Sequence, residues 1–182
     1  EYCTTMFNKA RDIILDFFCV LDNDDYTVIY TKSDTEGLNA LANVLIQDKD
    51  DMVLTTRMEH HANDLPFRRV AKMVYVEVDV LGRINIDDIE EELIKANGKI
   101  KVVTITGASN VTGYITPIHD IARLAHKYGA VIIVDGAQLI AHREVNLAGN
   151  SKDEEIDFLT FSAHKAYAPF GGGAIVGKKD YL

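Results

Sequence analysis

The residues most able to do chemistry stand close together near one end of the chain. Phe161-Ser162-Ala163-His164-Lys165 places a hydroxyl, an imidazole and an amine within four residues, directly after the strand-like run Asp157-Phe158-Leu159-Thr160-Phe161. Ala166-Tyr167-Ala168-Pro169-Phe170-Gly171-Gly172-Gly173 follows, and then another apolar run, Ala174-Ile175-Val176. An ammonium between two buried strands has to be paired, solvated in a cleft or chemically converted. A Schiff base to an aldehyde is one such conversion, because lysine is the usual amine nucleophile for carbonyl groups. The glycines leave room for a ligand to approach the backbone. Thirty residues before Lys165, the apolar run Val131-Ile132-Ile133-Val134 leads straight into Asp135. An acid at the carboxyl end of a buried strand faces the crevice in which α/β folds bind ligands.

Alternating helices and strands must position these groups. Residues 4–20 repeat apolar side chains at three- and four-residue steps, which predicts an amphipathic helix. Strands are expected at 26–30, 52–56, 73–78, 101–106, 130–134, 157–161 and 174–176, and helices at 35–47, 61–70, 87–96 and 118–128. Pro66 is expected to kink or start the 61–70 helix. Gly129 is placed as the residue just past a helix end. Residues 145–156 contain Gly149-Asn150-Ser151-Lys152-Asp153-Glu154-Glu155, a polar, acidic loop that reads as a solvated surface excursion. The pattern is that of an α/β fold, a mainly parallel central sheet with helices on both faces.

Composition narrows the function. The 182 residues carry a net charge of −9, which argues against nucleic acid as a partner, since phosphate neutralisation needs a basic face. No apolar run is long enough to span a membrane. Cys3 and Cys19 are the only cysteines and make no disulfide framework. On one helix, sixteen residues apart, they would be separated by roughly 24 Å, too far to bridge. They are expected to be helix-packing thiols in a cytoplasmic protein.

If the strands are parallel, Ser33-Asp34-Thr35, Glu59-His60-His61, Ser109-Asn110, Asp135-Gly136-Ala137-Gln138 and Ser162-Ala163-His164-Lys165 share one rim of the sheet. Together they suit a planar, phosphorylated, aldehyde-bearing heteroaromatic such as pyridoxal 5′-phosphate (PLP). A phosphate is served by a helix N-terminus with the Thr35 hydroxyl. A pyridinium nitrogen is served by Asp135. The ring face suits His60, the phenolate oxygen suits Asn110 and Gln138, and the aldehyde suits Lys165. Each residue alone has an ordinary structural reading as a cap, a turn former or a surface side chain.

With these pieces assembled, the chain resembles the class V aminotransferase-like PLP enzymes of fold type I, and within them the cysteine desulfurase and selenocysteine lyase branch. The matching segments are Thr35-Glu36-Gly37-Leu38-Asn39, Met58-Glu59-His60-His61-Ala62-Asn63, Ser109-Asn110-Val111-Thr112-Gly113, Val134-Asp135-Gly136-Ala137-Gln138 and Phe161-Ser162-Ala163-His164-Lys165. The resemblance implies that Lys165 forms the Schiff base and moves the substrate α-proton. It implies that Asp135 pairs with the pyridinium, that His60 stacks on the ring, and that Asn110 and Gln138 contact the phenolate side or the substrate. Thr35, Ser162 and His164 would hold the phosphate, and the role of His61 stays open. Asp34 departs from the family, which commonly has a small or hydroxyl residue there. Its carboxylate would repel a phosphate unless turned away.

The resemblance also implies that residues 1–182 are the large-domain segment of a longer protein. The C-terminal small domain, with its persulfide-forming cysteine and a substrate-binding arginine, would lie outside this chain. Neither Cys3 nor Cys19 matches that cysteine. The implied whole is a homodimer that takes an amino acid substrate, converts L-cysteine to L-alanine and passes sulfur on, in some cases to an acceptor protein. The segment alone is expected to be inactive. Two other readings stay open: a different class V transaminase, epimerase or lyase, and a cofactor-free interaction domain that keeps the fold.

Overall fold

The computed structural model describes residues 1–168 and 171–182. Pro169 and Phe170, in the glycine-rich stretch of sequence after Lys165, lie outside the described residues.

Seven strands form one sheet: β1 (Tyr26–Thr31), β2 (Met52–Thr56), β3 (Lys72–Val76), β4 (Ile100–Thr106), β5 (Val131–Asp135), β6 (Phe158–Ser162) and β7 (Gly173–Lys178). Their spatial order is β1-β7-β6-β5-β4-β2-β3. Strand β7 runs antiparallel to both its neighbours, and every other pairing is parallel. Because β1 is antiparallel to β7 alone, it points the same way as β2, β4, β5 and β6. The carboxyl ends of these strands therefore meet on one rim, as the sequence pattern requires.

Helices cover both faces. On one side α2 (Asp34–Leu45) and α3 (His61–Arg68) bury Leu38, Leu41 and Phe67 against Val53, Val102, Ile133, Phe158 and Ile175. On the other, α1 (Tyr2–Phe17), α4 (Ile86–Ala96) and α5 (Ile118–Lys127) bury Leu15, Ile89, Leu93, Ile121 and Ala125 against the alternate strand residues, among them Leu54, Val103, Ile132 and Leu159. The period-two split of each strand between two covered faces explains why the central strands are largely apolar in sequence. Each fully buried leucine contributes roughly 2 kcal/mol of apolar transfer. No helix among the described residues is long and apolar enough to cross a membrane.

Helix ends follow local chemistry. Helix α5 stops where Gly129, at φ +74°, lets Gly129 N–H donate to His126 O and Ala130 N–H to Ala125 O, at 3.0 and 2.8 Å. This is a Schellman end. Helix α1 ends the same way, three residues earlier than its apolar pattern predicts. Cys19 N–H donates to Asp16 O and Val20 N–H to Leu15 O, both at 2.9 Å, with Cys19 at φ +59° where glycine would be usual. The reversal turns Phe18 and Val20, each 1% exposed, into the core. It also leaves Cys19 in solvent. Both cysteines are exposed, which overturns their reading as helix-packing thiols.

Helix α3 starts at His61, as the 61–70 expectation has it, because the His60 side chain caps it, and Pro66 lies inside it rather than at its start. The 149–155 loop lies at the surface, with residues 150–153 exposed, but its flanks are anchored in the core. Val145, Leu147 and Ile156 are buried. Its acidic turn, Lys152–Glu154, packs on α5, where Arg123 pairs with Asp153 and Glu154 and the His126 ring meets Asp153 O. The alternating apolar residues at 145 and 147 are the overlooked signal.

Candidate functional site

A cavity of about 230 Å³ opens at the carboxyl rim of the sheet. All nine residues singled out from the sequence line it: Asp34 and Thr35 from the start of α2, His60 before α3, Asn110 after β4, Asp135 and Gln138 at and after β5, and Ser162, His164 and Lys165 at and after β6. His61 is not among the lining residues.

The floor is built from strand ends. Thr106, Asp135 and Thr160 are register partners across β4, β5 and β6. Partners in a parallel sheet share a face, and here it is the face covered by α2. Asp135 is 3% exposed. Its Oδ1 accepts from Ala137 N–H at 2.9 Å, and no side chain among the described residues bonds its other oxygen. Gly136 N–H donates to Thr160 O at 2.8 Å, an approach so close that a Cβ on Gly136 would sit 3.0 Å from that oxygen. Burial pushes the Asp135 carboxyl above its ordinary range; the Ala137 N–H and the Lys165 charge oppose the shift.

The wall on the α2 side is held by a second carboxyl. Ser33 caps α2, its Oγ accepting from Glu36 N–H at 3.3 Å. Asp34, the next residue, turns inward and is 5% exposed. Its N–H donates to Ser162 Oγ at 2.8 Å, and its Oδ1 accepts from Thr160 Oγ1 at 2.5 Å. The contact needs Gly173, where any Cβ would collide with the Phe161 carbonyl and the Ser33 backbone, at 2.4 and 2.8 Å. Burial, then the neighbouring Asp135, raises Asp34 to about 7, against smaller lowering effects from Thr160, Lys165 and His60. Thr35 keeps an exposed hydroxyl at the helix start.

His60 sits at the mouth with its ring fixed. Its Nδ1 accepts from Ala62 N–H at 3.1 Å, capping α3, which leaves Nε2 free. Beneath it runs a polar chain that the sequence reading did not assign. Thr56 Oγ1 and Asn63 Nδ2 each donate to Glu59 at 2.7 Å, and Thr104 Oγ1 donates to Asn63 Oδ1 at 2.5 Å. The chain ties β2, α3 and β4 together under His60. Burial raises the Glu59 carboxyl to about 7, against its hydrogen bonds from Thr56 and Asn63. Threonines at alternate positions of apolar strands, Thr104 and Thr106 in β4 and Thr160 in β6, are the signal that could have located this floor.

Lys165 lies in a 3₁₀ turn, Ala163–Ala166, with its side chain exposed to the cavity, as is His164 beside it. The site thus holds a solvated amine, two buried carboxyls that form no ion pair among the described residues, a fixed imidazole ring and a helix N-terminus with hydroxyls. Buried carboxyls without a protein cation suit a ligand that brings its own, such as a protonated ring nitrogen. The donor set fits PLP.

Comparisons with known proteins identify the family. The family model described as Aminotransferase class-V matches residues 1–182. The chain is 34% identical to a probable cysteine desulfurase of Halalkalibacterium halodurans, covering 98% of this chain and 44% of that protein. It is 35% identical to a cysteine desulfurase of Haloferax volcanii, covering 100% of this chain and 43% of that one. The apo structure of the cysteine desulfurase from Thermococcus onnurineus superposes with a TM-score of 0.85 at 30% identity, over 98% of this chain and 44% of its own. The chain spans under half the length of these relatives. From the strand-end site, the sheet order and a match along its whole length, the chain belongs to the class-V aminotransferase family.

Proposed function

We propose that residues 1–182 form the PLP-binding large domain of an enzyme that, at full length, is a cysteine desulfurase. The observation that carries this reading is the pairing, in one cavity, of the solvated Lys165 amine with the buried Asp135 carboxyl that has no protein cation. The desulfurase names of the relatives favour the substrate.

Asp135 holds a proton on a ring nitrogen by supplying the counter-charge in a dry site. His60 offers a flat face whose orientation is set by its bond to Ala62 N–H. Thr35, through its hydroxyl and its amide at the start of α2, binds the phosphate together with Ser162 and His164. Asn110 and Gln138 hydrogen-bond the phenolate oxygen or the substrate. Lys165 anchors the aldehyde and then, as a free amine, takes the α-proton of L-cysteine. Bound PLP supplies the electron sink that makes this proton removable. The sulfur passes to a cysteine thiolate supplied outside this chain and L-alanine leaves; Cys3 and Cys19 have no part in it. The full-length protein is a cytoplasmic homodimer, in which a small domain completes the site and a sulfur-acceptor protein receives the product.

The test is alanine release from L-cysteine by the full-length protein, beside its Lys165→Ala variant. The expected result is turnover in the first and none in the second, and none from residues 1–182 alone. Faster turnover of another amino acid would favour a different class V transaminase, epimerase or lyase. Failure to bind PLP would favour a cofactor-free domain.

A further inference from the structure

Asp34 is out of place in a phosphate-binding loop, yet the structure gives it a defined seat. Its carboxyl does not lie on the outer side of α2, where Glu36 turns away to accept from Lys32 N–H. It is folded under the helix start onto Thr160, the register partner of Asp135. Two carboxyls, 5% and 3% exposed, therefore face one small cavity across a single threonine. The charged or titratable groups facing Asp34 are Asp135 from β5, Lys165 from the turn after β6, and His60 from the cap of α3. Neither aspartate is ion-paired among the described residues. Asp34 Oδ1 accepts the Thr160 hydroxyl, and Oδ2 has no partner among the described residues.

Two like charges facing one small, dry cavity do not both ionise readily; one proton stays with the pair. Asp135 has a backbone donor, Ala137 N–H, that favours its ionised form, as a counter-ion for a ring nitrogen requires. The proton belongs on Asp34, where Oδ1 is already used as an acceptor and Oδ2 is free to carry hydrogen.

Resting on the PLP reading above, we propose that Asp34 is a proton-gated determinant of cofactor retention: it is protonated in the loaded site, donates from Oδ2, and weakens phosphate binding when it ionises. The burial that raises Asp34 to about 7 places the gate near neutrality. Above it, binding requires uptake of one proton from solvent, which ends on Asp34 Oδ2. Lys165 acts in the opposite sense, because loss of its proton makes the amine a better nucleophile as pH rises. The two effects are separable by sign.

The experiment is PLP titration of the full-length protein, followed by the absorbance of the bound chromophore, from about pH 6 to about pH 9, for the wild type, Asp34→Asn and Asp34→Thr. The expected wild-type affinity falls above neutrality, by up to about tenfold per pH unit, because only the protonated fraction binds well. Both variants should match the wild type near pH 6 and bind more tightly than it near pH 9. Calorimetry in buffers of different ionisation heat should show proton uptake on binding that exceeds that of the Asn variant. A wild-type affinity that falls no more steeply with pH than that of either variant, in which the Lys165 effect is the same, overturns the proposal. A variant-to-wild-type ratio that does not change with pH also overturns it, while leaving PLP binding intact. No PLP binding at any pH overturns the proposal together with the cofactor reading beneath it.

Discussion

Two buried aspartates lie at opposite rims of the same sheet, one before β6 and one at the end of β5, and are treated in opposite ways. Asp157, fully buried just before β6, has its charge compensated. His126 Nε2 and Ile132 N–H reach its Oδ2 at 2.9 Å each, and Lys178 Nζ lies 3.0 Å from Oδ1, itself paired with Glu155 at 2.7 Å. Burial works against the Asp157 charge, but His126, the Ile132 amide and Lys178 outweigh it and hold the carboxyl below its ordinary range. Its hydrogen bond to Asp157 correspondingly raises His126. Asp135, at the carboxyl end of β5, has one backbone donor and is pushed upward by burial. Burial is nearly equal at the two sites, so the difference is partnership. A structural charge is compensated by the protein, whereas a binding charge is left for a ligand to compensate.

The comparison breaks most visibly by substitution. Asp157→Ala should destabilise the fold by about 3 kcal/mol, because it removes the acceptor of the buried Ile132 amide and of the His126 ring and leaves Lys178 with Glu155 alone. Asp135→Asn should leave the stability of the cofactor-free protein within about 1 kcal/mol of wild type, or improve it, since a costly buried charge is removed and the Ala137 bond is kept. The same change should weaken PLP binding by at least about tenfold. Urea denaturation and PLP titration of the two variants would check the pair. Equal loss of stability in both would erase the distinction between them.

A pH scan sharpens the contrast further. Asp34 and Glu59 both sit near 7, and Asp135 is raised as well. A carboxyl raised in the folded state stabilises fully below its unfolded value near 4, and that stability is lost as pH climbs through the folded value. His126, also raised, has the same sign: its contribution is lost as pH rises through its folded value. Asp157, lowered, contributes above about 4 and loses its contribution only in stronger acid. The denaturation midpoint of the cofactor-free protein should therefore rise on going from about pH 8 to about pH 6, and Asp34→Asn should flatten that rise. The smallest effect belongs to α1. Cys19→Gly should stabilise by about 0.5–1 kcal/mol, by relieving a left-handed residue at a Schellman end that Gly129 already satisfies at α5.

Much of this was legible in the sequence because the signals were local. Apolar runs for β4, β5 and β6, acids early and Lys95 late in α4, and Gly129 after α5 all act within a few residues. The nine lining residues were legible because each ends or follows a strand, and strand ends of one direction share a rim. Asp34's inward turn was not legible. It depends on Thr160, 126 residues away, and on Gly173 letting two backbones approach. The polar chain under His60 was missed for the same reason, since Thr104 and Asn63 are 41 residues apart in sequence. The anchoring of the surface loop at 149–155 was not legible, because it comes from the buried flanks Val145, Leu147 and Ile156 and from Arg123 on a helix that packs there only in the folded chain.

The central claim is that Lys165 is the amine of a PLP site completed by Asp135. It is tested most directly by adding PLP to the folded protein, reducing with borohydride and mapping the adduct by peptide mass. The account predicts a yellow species that reduces to a stable adduct on the peptide containing Lys165, and on no other lysine in equal yield. An adduct spread over surface lysines, or none at Lys165 in the folded full-length protein, would contradict it.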